Sequence, residues 1–149
     1  MDADIAMGFD VPSGRDYLLD SVDVALSLVA GANVFELFLT ETQPISHSWG
    51  GFQEEPNLTT SGIVESWRIR DRLENPALVH LESATGAVLK GGKRYWVVLS
   101  VPEPDSEVRW HSDGDIAPGY IAERFSAYGN KWESHESSGG FALRVTSRF

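Results

Sequence analysis

A chain of 149 residues and 16.4 kDa, 42% hydrophobic and 11% aromatic, has the size and composition of one packed domain spanning 1–149 and is too apolar for a disordered tail. Twelve Lys and Arg against 22 Asp and Glu leave a formal charge of -10, and the closest cations, Arg68, Arg70 and Arg72, sit among Glu65, Asp71 and Glu74, so a nucleic-acid partner is excluded by repulsion of the polyanion. With no cysteine there is no disulfide framework and no Cys-based metal or nucleophile site, and no apolar run reaches the roughly 18 residues of a membrane-spanning helix.

The opening MDADIAMGFD is acidic where a secretion leader is basic and then apolar. An exported chain would therefore have lost its leader ahead of Met1. In YLLDSVDVALSLV, Val22, Val24, Leu26 and Leu28 alternate with Asp23, Ala25 and Ser27, which predicts a strand with one wet face. After the turn residues Gly31, Ala32 and Asn33, Phe35, Leu37 and Leu39 alternate in VFELFLT, giving a hairpin or meander step. From Glu41 to Gly62 the chain shows little periodicity and reads as a long loop, the kind of segment that carries function.

Alternation returns in IVESWRI and in ALVHL after Pro76. The stretch LKGGKRYWVVLS, Leu89 to Ser100, stops at a glycine pair and restarts with Tyr95, Val97 and Leu99 on one side and Trp96 and Val98 on the other. A tight turn feeding a central strand, covered on both faces, is the expected outcome. Val108 and Trp110 in EVRWHS and Phe141, Leu143 and Val145 in GGFALRVTS supply further strands, while IAERFSAY has helical spacing over too short a span between Gly119 and Gly129. About eight to ten short strands with turn signals between them predict an all-β fold, a two-sheet antiparallel sandwich of jelly-roll type.

Phosphate loops, GxSxG elbows, HExxH pairs and EF-hand loops are all missing from the sequence. The histidines His47, His80, His111 and His135 are isolated, and His80 reads as a strand residue on a wet sheet face. His111, Ser112 and Asp113 are adjacent on the chain, which splays them to opposite faces and rules out a nucleophile relay. Asp113 and Asp115 flank Gly114, an arrangement open to two readings: an acidic β-turn, or hard oxygen ligands for Ca²⁺. The aromatics Trp49, Trp110, Tyr120 and Trp132 lie near loops, where they either stack on flat sugar faces or plug the ends of the sandwich. Asn57-Leu58-Thr59 fits the N-glycosylation sequon.

Phe9, Tyr17, Leu19, Ser21 and Val22, then Leu89, Gly91 or Gly92, Tyr95, Trp96 and Leu99, then Trp110, and finally Phe141 and Val145 follow one another in an order that resembles the choice-of-anchor domains of bacterial exported and surface proteins. That resemblance implies export and a jelly-roll-like sandwich, and it implies no catalytic residue set. The expected function is a non-enzymatic extracellular or cell-envelope binding module, carbohydrate-binding or adhesive, with a polysaccharide or another surface protein as partner. One alternative is a structural or assembly module of a larger surface protein or particle. The other is a glycan-active enzyme whose paired carboxylates, drawn from Glu65, Glu123, Asp113 and Asp115, would have to converge to about 5 to 9.5 Å.

Overall fold

The computed structural model describes residues 3–30, 34–45, 54–69, 77–101, 107–110, 119–125, 132–137 and 143–148. Along them run β1 (Ala3–Asp10), β2 (Tyr17–Ala30), β3 (Phe35–Pro44), β4 (Glu54–Pro56), β5 (Ile63–Ile69), β6 (Ala77–Glu82), β7 (Val88–Leu89), β8 (Arg94–Ser100), β9 (Glu107–Trp110), β10 (Gly119–Phe125), β11 (Trp132–Ser137) and β12 (Leu143–Arg148). No helix of the described residues is long and apolar enough to cross a membrane.

The strands make two antiparallel sheets packed face to face, a β-sandwich. The larger sheet runs β11-β10-β1-β8-β3-β4, with β5 also on β3; the smaller is centred on β2. Neighbours such as β1 and β8, or β3 and β8, are distant in sequence because the chain crosses to the other sheet between them. This crossover connectivity is of the jelly-roll kind.

The length of β2 lets it carry two short strands on each edge. Both β12 and β9 lie opposite β6, so they share one edge, β12 covering Leu18 to Val24 and β9 covering Leu26 to Ala30. On the other edge β6 is followed by β7. A bulge slips the β2–β12 register by one residue between Leu19 and Ser21. It turns Leu19 onto the same side as Val22, Val24 and Leu26, and all four are fully buried.

The main core lies between the sheets, where Phe35, Leu37, Leu39, Tyr95, Val97 and Leu99 meet the β2 row and Trp110. Burial of each such side chain contributes about 1.5 to 3 kcal/mol. A second, smaller core lies on the opposite face of the larger sheet, built from Ala6, Trp96, Val98, Ala122 and Trp132 with Phe38 and Leu58 against it. Strand β8 therefore has both faces covered, as its sequence predicts. The small residues of β1 make room for this second core, since Gly8 is paired with Trp96 and Ala6 with Val98. The sheet rolls around it until β11 and β4, from opposite ends of the strand order, approach within 8 Å.

Two expectations need correction. The stretch from Glu41 to Gly62 is not loop throughout: β3 runs on to Pro44 and pairs with β4, with the prolines at strand ends where no ladder N–H is lost. The described part of IAERFSAY belongs to the strand Gly119–Phe125, held between β1 and β11, in keeping with a helical spacing too short to make a helix. The face of β2 predicted to be wet is largely covered: Asp23 is 8% and Ser27 3% exposed. Asp23 lies beneath its cross-strand neighbours, its carboxylate 2.6 Å from His80 Nδ1 and 3.8 Å from Arg144 Nε. His80 itself keeps about half of its side chain in solvent, as expected.

Candidate functional site

Of the aromatics expected to contact a ligand, Trp110 on β9 is 3% exposed in the main core and Trp132 on β11 is 4% exposed in the second core. Both are interior packing groups, which corrects their assignment as stacking platforms. Alternation explains the error: the strand that carries Trp110 pairs with the C-terminal part of β2, Leu26 to Ala30, and its inward positions face the core. Tyr120 lies on β10, opposite Gly8 of β1. Trp49, Asp113 and Asp115 lie outside the described residues. Among the described residues no group of three or more His, Asp or Glu side chains could hold a metal ion.

Glu65, a carboxylate considered for catalysis, is committed elsewhere. It is 6% exposed, and its oxygens accept from Ser83 Oγ at 2.7 Å, Thr85 Oγ1 at 2.5 Å and the Ala84 N–H at 2.9 Å. Burial pushes its pKa up, but the hydroxyl donors Thr85 and Ser83 and the backbone N–H groups of Ala84 and Thr85 outweigh that and hold it below the ordinary glutamate value. Glu65 is a carboxylate that binds a turn, with the role of a structural tie between the sheets.

The polar site that the structure does assemble is a cleft of about 370 Å³ lined by Asp10, Glu41, Thr42, Glu54, Gly92, Lys93 and Arg94. Its floor follows from sheet register. Arg94 stands two residues before Trp96 and so shares its face of β8, the face of the second core. Asp10, the last residue of β1, is directly opposite Arg94, and Glu54 arrives on β4 beside β3. The guanidinium donates from Nε to Asp10 Oδ1 at 2.8 Å and from Nη2 to Asp10 Oδ2 at 3.3 Å, while Nη1 pairs with Glu54 Oε2. This fork geometry fixes both carboxylates.

A hydrogen-bond chain ties the cleft to the core. The indole Nε1–H of fully buried Trp96 donates to Thr42 Oγ1 at 3.0 Å, and that hydroxyl donates to Glu54 Oε1 at 3.1 Å. Glu41 and Lys93 complete the lining, and neither side chain has a hydrogen bond or ion pair among the described residues. The cleft thus offers one uncommitted acceptor and one uncommitted donor beside a locked Asp-Arg-Glu cluster.

The rim is built by the Lys90-Gly91-Gly92-Lys93 turn. A Cβ on Gly91 would lie 2.1 Å from the Arg15 carbonyl oxygen, and Gly92 has φ +77°. The pair therefore answers two separate demands, close approach and left-handed backbone. Asp16 fastens the turn by accepting the Gly91 N–H at 3.0 Å and the Lys90 ammonium at 3.3 Å. The Gly91 N–H first, and Lys90 after it, hold the Asp16 carboxyl below its ordinary value.

None of Asp10, Glu41, Glu54, Lys93 or Arg94 stands out in the sequence, because they converge only through pairing of distant strands. Parity gave the one available signal, since a cation two residues before a two-sided core strand must share a face with Trp96. No family model, curated protein or solved structure matches the chain.

Proposed function

We propose that the chain is a non-enzymatic binding module acting outside the cell or in the cell envelope, and that its ligand is a glycan, either a polysaccharide or one carried by another surface protein. The observation that carries this reading is the cleft at the end of β1, β8, β3 and β4, about 370 Å³ in volume. That size falls in the range of small-molecule sites, and its polar groups are held in fixed positions by Trp96, Thr42 and Arg94. Carboxylates and cations set close together suit hydroxyl groups, each of which donates and accepts. The glycan-active enzyme is the weaker alternative because Glu65 is consumed by the Ser83–Gly86 turn and Asp10 and Glu54 are both bound to Arg94.

The likeness to choice-of-anchor domains enters as part of the same proposal. Its matching residues Leu19, Val22, Leu89, Tyr95, Trp96, Leu99 and Trp110 are interior ones, so the likeness speaks for a shared sandwich and the binding role rests on the cleft. Insoluble-polysaccharide pull-down and a glycan array test the role. Retention should weaken in Glu41→Ala/Lys93→Ala with the melting temperature unchanged; Trp49→Ala is scored beside it. Undiminished binding in the double variant would move the site elsewhere, and retention on no glycan would overturn the reading.

A second reading, a structural or assembly module, is favoured by the outer face of the smaller sheet. Leu18 and Val88 are paired there and are 40% and 46% exposed, and Leu78 on β6 is 66% exposed. Light scattering over a concentration series separates the two, since a strict monomer counts against self-assembly.

A further inference from the structure

We infer that the cleft takes uncharged glycans and rejects those bearing uronate or sulfate groups. This inference rests on the glycan-binding reading and specifies its ligand class. The residues a glycan would meet are Asp10, Glu41, Glu54, Lys93 and Arg94, three carboxylates against two cations, in a chain whose formal charge is -10. An anion approaching this cleft meets local and overall repulsion.

Arg94 is the group best suited to grip a carboxylate or sulfate, because its planar fork matches two oxygens at once. Here that fork is occupied. Nε and Nη2 are on the two oxygens of Asp10, Nη1 is on Glu54, and only 19% of the side chain is exposed. A bound anion would have to displace one of these carboxylates and leave it in the cleft beside another negative charge. Lys93 remains as the accessible cation, and Glu41 lines the same cleft.

A neutral hydroxyl avoids that conflict. Glu41, whose carboxylate makes no hydrogen bond among the described residues, can accept from a sugar hydroxyl that in turn accepts from Lys93. Thr42 adds no adjustable donor, because its hydroxyl is already oriented between the Trp96 indole and Glu54. The donor and acceptor supply of the cleft therefore complements a polyol and offers no vacant anion fork.

Matched backbones separate charge from shape. Affinity electrophoresis of the full chain in gels containing dextran or dextran sulfate, and fully methyl-esterified homogalacturonan or polygalacturonate, should show retardation by the neutral member of a pair at least about tenfold stronger, a difference of about 1.4 kcal/mol. Retardation by neutral glycan should also survive a rise from about 0.05 to 0.5 M salt, which suppresses interactions between exposed charges. The variant Glu41→Lys should narrow the gap by raising affinity for the acidic member. Equal or stronger binding of the charged member by the unsubstituted chain overturns the selectivity and leaves glycan binding standing. No retardation by any of the four overturns both.

Discussion

Glu65 Oε2 accepts the backbone N–H of Ala84 at 2.9 Å, joining an edge strand of the larger sheet to the β6–β7 turn of the smaller one. Ser83 and Thr85 donate to the other oxygen, and the Gly86 N–H donates in turn to Ser83 Oγ at 3.0 Å. The folded chain holds this carboxyl below its ordinary value, so the protonated form is favoured more in the unfolded chain. Its contribution is accordingly present above the unfolded glutamate value of about 4.3 and is lost as pH falls through the folded value. Urea melts taken from pH 6 down to pH 3 should show falling stability, and Glu65→Gln should flatten that fall. Glu65→Ala, which removes the acceptor of three hydrogen bonds, should cost about 3 kcal/mol at neutral pH. A slope unchanged by Glu65→Gln would remove this group from the acid response.

The two glycines of the cleft rim should respond differently to the same added methyl. Gly92→Ala puts an L-residue at φ +77° with its nearest neighbour 3.7 Å away, so only backbone strain of about 1 to 2 kcal/mol is expected. Gly91→Ala drives a carbon to within 2.1 Å of the Arg15 carbonyl, and the backbone itself must retreat. The second loss should be clearly larger, and it should also free Asp16, whose bond to the Gly91 N–H depends on the close approach. Denaturant midpoints of the two variants decide it; equal losses would mean that Arg15 yields without cost.

Strand existence was legible because a sandwich writes its burial into every second residue: Val22, Val24 and Leu26 are buried as alternation requires, and both faces of Tyr95 to Leu99 are covered. The bulge near Asp20 was hidden, since a one-residue slip appears only against a partner strand. Strand β4 was hidden for a similar reason. Its three residues, Glu54, Glu55 and Pro56, have no strand propensity of their own and are extended because β3 pairs with them. The cleft was least legible, for Asp10, Glu54 and Arg94 lie far apart in the chain and meet only through register.

Trp110 and Trp132 give that lesson a measurable form. A surface platform can be truncated without harm to the fold, whereas an interior ring leaves a cavity. Trp110→Ala and Trp132→Ala should each cost about 3 to 5 kcal/mol, close to the loss for Leu26→Ala at about 2 to 5 kcal/mol. Thermal melts that stay at the parent midpoint would return either ring to the surface.

The link between core and cleft makes the sharpest energetic test. Trp96→Phe keeps an aromatic ring on β8 but removes the donor to Thr42, and Thr42→Val keeps the volume but removes the hydroxyl that accepts from the indole N–H. Loss of that bond costs about 0.5 to 1.5 kcal/mol. Each single variant already loses the whole bond, so the double variant should be less destabilised than the sum of the singles by about 1 kcal/mol. Thr42→Val also withdraws a donor from Glu54, which Arg94 continues to hold. That second loss falls equally on the single and the double variant and cancels from the cycle. Strict additivity, within about 0.3 kcal/mol, would mean that the indole and the hydroxyl do not support one another, and that the cleft floor is set by Arg94 alone.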